Sequence, residues 1–412
     1  MMKMTVPLKT LTALVEKSVS GALTKDSQDE ERKKIRPTDS CIKISSNKDS
    51  IAFESSSPKI SILCSVPKDE SIITEEEGSF CVEASSYLKV LNTLSNKYSI
   101  QISYEENENY GKDSFAGIVQ PNGKITTIAI DNKSEKRKGK NDTFPVSEFV
   151  KVDYNYNKVI FSLKAKAFKE AVEQVIFAVD PTDLSNILDR IAIVVSGKNI
   201  YLAGTDGKRC AIFSIGENKD DVKINCDEQK FLIDGNLLKT SCKSFEDDEK
   251  IEIIDCENKE HIILSSERLK IKLCIASEEI KQQFPNFINI LNLNLPTNIV
   301  VDKADLLEAV EFLSLYNSEK SIFHVNAGKS EIKVDAARRG TDPETAIVGC
   351  NQIESSLNNP VAMSNSFIKD GCKKINGNNI KISFSKDEKK IKMSSIDKDT
   401  NFVYLMQSMT PN

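Results

Sequence analysis

The sequence predicts an α+β protein built from three similar domains, each with two helices packed on a largely antiparallel sheet. Three observations lead there. A chain of 412 residues exceeds one ordinary core and suits domains of roughly 100 to 200 residues. A strand-then-helix signature occurs three times, opening at Met4 (MTVPLKTLTALVEKSVS), Val159 (VIFSLKAKAFKEAVEQVIFAV) and Ile299 (IVVDKADLLEAVEFLSLY). Its recurrence, roughly every 140 to 155 residues, is the size of a domain rather than of a solenoid repeat. Each signature is followed by hairpin-like strands and a second helix, which delimits domains at 1–150, 151–294 and 295–412.

The elements follow from local pattern. In each signature the apolar residues pass from a short strand-like run to helical spacing: Leu11, Leu14 and Val15, then Phe168, Ala171, Val172 and Val175, then Leu306, Leu307, Val310 and Leu313. Behind them come CIKISSNKDSIAFESSSPKISILCSV, IAIVVSGKNIYLAGTDGKRCAIFSI and SIFHVNAGKSEIKVDAARRG, alternating runs broken by Asn, Gly, Lys and Asp, the pattern of antiparallel hairpins. Second helices are expected at Ser85 to Lys97, Gly235 to Phe245 and Ser366 to Ile375, each entered from a strand (SFCVEA, KFLIDG, NPVAMS) and followed by further strands. Linkers are expected at FPVSEFVKVDYNYN and NLNLPTN, just ahead of the second and third signatures, and the run KSEKRKGKND at 133–142 as a solvated loop.

Composition excludes several classes. With 39% hydrophobic and 28% charged residues, the chain is neither disordered nor collagenous. A formal charge of −5 advertises no polyanionic partner, so a nucleic-acid role must rest on where the charges sit. No apolar run approaches membrane length, and Lys9 and Glu16 interrupt the only leader-like stretch, so a cytoplasmic protein is expected. Ten cysteines lack any CxxC pairing, and Cys64, Cys81 and Cys274 lie in strand-like runs, so they read as reduced core residues. Two histidines, His261 and His324, make a zinc site improbable, and no cofactor is expected.

GxSxG, GxxxxGK[ST], HExxH and dinucleotide fingerprints are all absent, so the chain is expected not to be an enzyme. The sharpest local motif is GTDGKRC at 204–210. As an enzyme site, Asp206 would be the base and Arg209 an anion clamp, for instance in a metal-dependent phosphohydrolase. As structure, Thr205, Asp206 and Gly207 form a tight turn in which Asp accepts backbone hydrogen bonds and Gly supplies positive φ. The turn is the stronger reading.

That turn, set between two strands, resembles the ATDGHR turn of the bacterial sliding clamp, the beta subunit of DNA polymerase III. FPNF from Phe284 resembles the family's FPDY, and YLMQSMTP near the end resembles its YVVMPMRL terminus. The threefold repetition agrees with that family's three domains, so the resemblance covers essentially the whole chain. Cys210 stands where Leu is usual, and Gln407 and Ser408 where Met and Pro are typical, departures that suit a phage-encoded or otherwise atypical member. The resemblance implies the ring-forming clamp fold and a processivity factor: a homodimer around duplex DNA, binding polymerase and clamp loader through linear peptides. A non-catalytic three-domain scaffold is the alternative.

Charge placement tests this separately. The six predicted helices carry a net +6 against −5 for the whole chain, leaving −11 on the remainder, although the helix opening at Lys303 is acidic. A basic lining in an acidic shell attracts phosphates without fixing register. The expected DNA contacts are Lys9, Lys17, Lys89 and Lys97 in the first domain. They continue with Lys166, Lys169, Lys239 and Lys243 in the second and Lys369, Lys373 and Lys374 in the third. Arg32, Lys33, Lys34 and Arg36, a basic cluster after the first helix, join them because clamps carry duplex-contacting residues in that loop. The resemblance also implies a peptide groove of Leu188, Thr205, Gly207, Lys208, Arg209 and Cys210. Phe284, Ser364, Phe367 and Met409 complete it.

Overall fold

In the computed structural model the described residues are 2–22, 37–94, 99–105, 114–119, 125–130, 146, 149–154, 158–185, 187–217, 221–256, 259–291, 293, 295–317, 319–336, 342–397 and 401–410. The cluster Arg32, Lys33, Lys34 and Arg36, Lys97, and the run at 133–142 lie outside them. Contacts group the chain into two compact units: Met1–Ala165 with Thr240–Ile275, and Lys166–Lys239 with Ala276–Asn412.

In the first unit, the strand Met2–Pro7 alternates buried Met2, Met4 and Val6 with half-exposed residues, then passes straight into the helix Leu8–Val19. Leu8, Leu11, Leu14 and Val15 form that helix's buried stripe, the face predicted from spacing. It packs against a second helix, Ala84–Asn92, whose start is capped by the Glu83 carboxylate accepting from Ser86 N at 2.7 Å. This helix stops at Asn92 rather than reaching Lys97. The Thr93 hydroxyl donates back to Val90 O at 2.7 Å and Leu94 N to Leu91 O at 3.1 Å, closing the last turn.

Two antiparallel sheets make up the rest of this unit. One runs Ile73–Glu76, Met2–Pro7, Ser99–Glu105, Ser114–Val119, Ile125–Ile130, with the last strand at its edge. Within this unit the other runs Lys158–Lys164, Lys250–Asp255, His261–Ser265, Leu269–Cys274, Ile60–Pro67, Ser50–Ser56, Cys41–Ser46, Gly78–Glu83. Its central pairing joins distant sequence: Leu269 opposes Cys64, Ile271 opposes Ile62 and Leu273 opposes Ile60. Strands from the first two repeats thus share one sheet.

The second unit does the same for the second and third repeats in a 12-stranded sheet. Its order is Glu228–Asp234, Arg190–Ser196, Asn199–Thr205, Arg209–Gly216, Phe402–Gln407, Lys390–Ser395, Asn379–Phe384, Thr297–Asp302, Glu344–Ile353, Glu331–Ala336, Lys320–His324, Val361–Ser364. The repeats meet where Cys210 opposes Leu405 and Ile212 opposes Val403. The helices Lys303–Ser314 and Asn365–Lys374 pack together, capped by Asp302 and Ser364 respectively. A Cβ at Gly371 would lie 2.7 Å from the Tyr404 ring, so glycine lets the second of these helices sit directly on the sheet.

The remaining helices are Ala165–Val175, Gly235–Lys243 and two short ones, Glu278–Gln283 and Phe287–Leu291, that sequence periodicity did not predict. Helix boundaries also correct the charge count. Lys164 ends a strand, and Lys320 is buried at the start of another, donating to Thr410 O. With the observed boundaries Lys97 and Lys164 fall outside the helices, Lys320 and Glu319 cancel, and the six long helices carry +4 rather than +6. Among the described residues no helix is long and apolar enough to cross a membrane.

Candidate functional site

The TDGKR motif is the predicted turn. Asp206 Oδ1 accepts from Lys208 N and Arg209 N, both at 2.9 Å, and Thr205 Oγ1 accepts from Gly207 N at 3.1 Å while donating to Arg209 O at 2.6 Å. Gly207 has φ +83°, a conformation that favours glycine. The second Asp206 oxygen accepts from Arg209 Nε at 2.9 Å. Both oxygens of the carboxylate are thus engaged by N–H donors of its own turn.

Arg209 ties this turn to its surroundings. Nη1 donates to Asp370 at 2.6 Å and Nη2 to Phe177 O at 3.0 Å, while the guanidinium lies 4.6 Å from the Phe367 ring centroid and 5.5 Å from that of Phe177. Planar geometry with several fixed donors suits arginine to this junction, where lysine would satisfy one partner at a time. Phe367 therefore braces Arg209, and Ser364 caps its helix by accepting from Phe367 N at 3.5 Å.

Beside the turn lies an apolar slot of about 170 Å³. Cys210, Leu405 and Met406 line it from the sheet, and Phe284, Pro285, Phe287 and Ile290 from the FPNF segment. Local chemistry builds this second wall. Phe284 leaves the helix Glu278–Gln283 with extended geometry (φ −68°, ψ 132°), as a residue before proline must, and Phe287 N then donates to Pro285 O at 3.0 Å to start the next turn. Phe284 and Phe287 are buried against Cys210, Ile212 and Leu405. Burial pushes the Cys210 thiol up to about 12, with Asp206 adding to it, so Cys210 acts as a small neutral apolar group.

Of the predicted groove residues, Thr205, Gly207, Lys208, Arg209, Cys210 and Phe284 line this slot. Leu188 stands beside the turn, 3.6 Å from where a Gly207 Cβ would be. Asp183 holds the loop leading to it, accepting from Leu188 N at 2.7 Å and Ile187 N at 3.0 Å. A hydrogen bond from Ser185, then one from Leu188, lowers the Asp183 carboxyl to about 2, so the anion that fixes the loop persists well into acid. Ser364, Phe367 and Met409 do not line the slot. The C-terminal strand occupies it earlier than motif matching implied: Met406 opposes Arg209, and Gln407 N donates to Lys208 O at 2.9 Å. The chain then turns away, and Met409, 37% exposed, pairs through its backbone with Ala362. Leu405, Met406 and Phe287 lie within YLMQSMTP and FPNF, where nothing in the sequence separates a slot-lining side chain from a core one. Lys390 carried no sequence signal, since only its pairing with Gln407 brings it to the slot.

The predicted DNA-contacting lysines divide into two sets. Lys9, Lys89, Lys166, Lys243 and Lys373 are exposed on their helices and Lys169 is half-exposed. Lys17 pairs with Glu246 at 3.0 Å, Lys239 with Glu173 at 3.1 Å, and Lys369 donates to Ser314 Oγ at 3.0 Å. Lys374 is engaged as well. It donates to Glu173 O at 2.7 Å in the last turn of the helix Ala165–Val175 and lies over the Phe177 ring. Burial lowers its pKa, and its role is that of a helix C-terminal partner.

Residues 159–284 match the family model described as DNA polymerase III beta subunit, N-terminal domain. A beta sliding clamp from Rickettsia bellii is 22% identical over 270 residues, covering 62% of this chain and 69% of that protein. The DNA polymerase III beta chain of Streptococcus pneumoniae is similar over 100% of both chains, with a TM-score of 0.79 at 16% identity. The Bacillus subtilis DNA polymerase sliding clamp is likewise similar over 100% of both, with a TM-score of 0.77 at 18% identity. The fold is therefore that of these proteins over the full length.

Proposed function

We propose that this chain, a divergent member of the DNA polymerase III beta-subunit family, is a processivity factor: a ring-shaped clamp that encircles duplex DNA and tethers the replicative polymerase. It works in the cytoplasm, without catalysis, by topology. The observation that carries the reading is the apolar slot beside the TDGKR turn, shaped by Cys210, Phe284, Phe287 and Leu405. A slot of this kind buries one or two Leu or Phe side chains of a linear peptide from polymerase or loader, each worth about 1.5 to 3 kcal/mol.

The domains are 1–150, 151–294 and 295–412, and two chains supply six. Sheet edges support that dimer. Arg209–Gly216 has strand neighbours on both sides, as does Ile60–Pro67. Their counterpart in the third repeat, residues 344–349, pairs with Glu331–Ala336 on one side only among the described residues. Ile347 there is 57% exposed, with Phe312, Leu315 and Tyr316 exposed nearby in sequence to the helix Lys303–Ser314. An unpaired edge carrying exposed apolar residues recruits a strand. The edge strand Ile125–Ile130 of a second copy is that strand, a head-to-tail contact that closes after two chains.

Duplex DNA meets the exposed lysines Lys9, Lys89, Lys166, Lys243 and Lys373, with Lys169, through phosphates alone, so binding is sequence-independent and weakens with salt. After loading, the protein should be retained on circular DNA and lost when the circle is linearised. Equal retention on both forms, or on neither, would sink the proposal.

A further inference from the structure

The mouth of the slot is charged in a way its apolar floor does not require. Lys208, in the TDGKR turn, and Lys390 flank Gln407: Gln407 N donates to Lys208 O, and Gln407 opposes Lys390 in the sheet. All three line the slot together with Cys210 and Leu405. Both lysines are exposed, and neither forms an ion pair among the described residues. Among the described residues no carboxylate lines the slot. Asp206, two residues before Lys208, is held by Arg209, which also engages Asp370. Ahead of Lys390, Asp387 accepts from Ser385 Oγ and Lys389 N, and Glu388 from Asn358 and Asn359.

Resting on the groove reading above, we infer that the slot selects peptides whose apolar anchor is flanked by acidic residues. The two lysine stems start about 10 Å apart, two inter-strand spacings. That distance is spanned by about three residues of extended peptide. An acid on either side of a buried Leu or Phe therefore reaches both ammonium groups, while a basic flank meets like charge at both.

Fluorescence polarisation of two labelled peptides against the full chain tests this. One carries a Leu-Phe anchor flanked by Asp, the other the same anchor flanked by Asn. The Asp peptide should bind about fivefold tighter at low salt, the scale of two exposed ion pairs. Its advantage should shrink towards one at high salt as the charges are screened. In the double variant Lys208→Gln, Lys390→Gln the ratio between peptides should fall to about one at every salt concentration. Equal affinities in the native chain, or a ratio unchanged in the variant, overturn the charge selection and leave the groove standing. Binding of neither peptide overturns both.

Discussion

Cys210 sits at the base of the slot, where a residue's size sets what can enter. Its thiol is neutral and its side chain packs with Leu405 and Phe287. Leucine at this position would add volume to a site already walled by aromatic rings. Cys210→Leu should weaken a Phe-anchored peptide about tenfold, while overpacking costs no more than about 1 to 3 kcal/mol of stability. Peptide titration calorimetry beside a denaturant melt separates the two effects, and undiminished peptide affinity would remove Cys210 from the floor. The turn next to it was legible because Asp and Gly act locally: Asp206 captures amides two and three residues on, and Gly207 takes a φ that few residues accept. Arg209 was legible as a groove residue but not as a junction, since Asp370 and Phe367 are more than 150 positions away in sequence.

Among the elements, helices with a full apolar stripe were readable and short ones were not. Leu8–Val19 and Lys303–Ser314 each bury several residues at helical spacing, whereas Glu278–Gln283 and Phe287–Leu291 are about one turn each and owe their form to the proline between them. Strand order was hidden for a different reason. Alternation marks a strand but not its neighbour, so nothing in Leu269–Cys274 alone announces Ile60–Pro67 as its partner. The helix Asn365–Lys374 offers a test of packing at this scale. Alanine at Gly371 would gain about 1 kcal/mol of helix propensity. The same methyl would press on the Tyr404 ring at 2.7 Å and on Met393 Sδ at 3.3 Å, both fully buried. Gly371→Ala should therefore be destabilising on balance, by about 1 to 2 kcal/mol in urea melts. A more stable variant would show that the helix can rise off the sheet without penalty.

For the molecule as a whole, the proposed function stands or falls on self-association, and one strand bears most of that weight. Among the described residues, 344–349 have no partner on one side of the strand, which leaves its amides and carbonyls open to another chain, and Ile347 projects from it at 57% exposure. Lysine is the residue with which sheets commonly guard such an edge, because its charge would have to be desolvated by any strand that docks. Ile347→Lys removes about 2 kcal/mol of apolar burial and adds that desolvation cost. The dimer dissociation constant should rise by about a hundredfold or more. Size-exclusion chromatography with light scattering should give a dimer for the native chain at micromolar concentration and a monomer for the variant. Circular dichroism should be unchanged, because Ile347 contributes little to its own core. Loss of the dimer would also abolish retention on circular DNA while leaving the peptide slot working, since every residue lining it belongs to one chain. A variant that remains dimeric would move the interface away from this strand, and a native chain that is monomeric at these concentrations would leave nothing to close a ring.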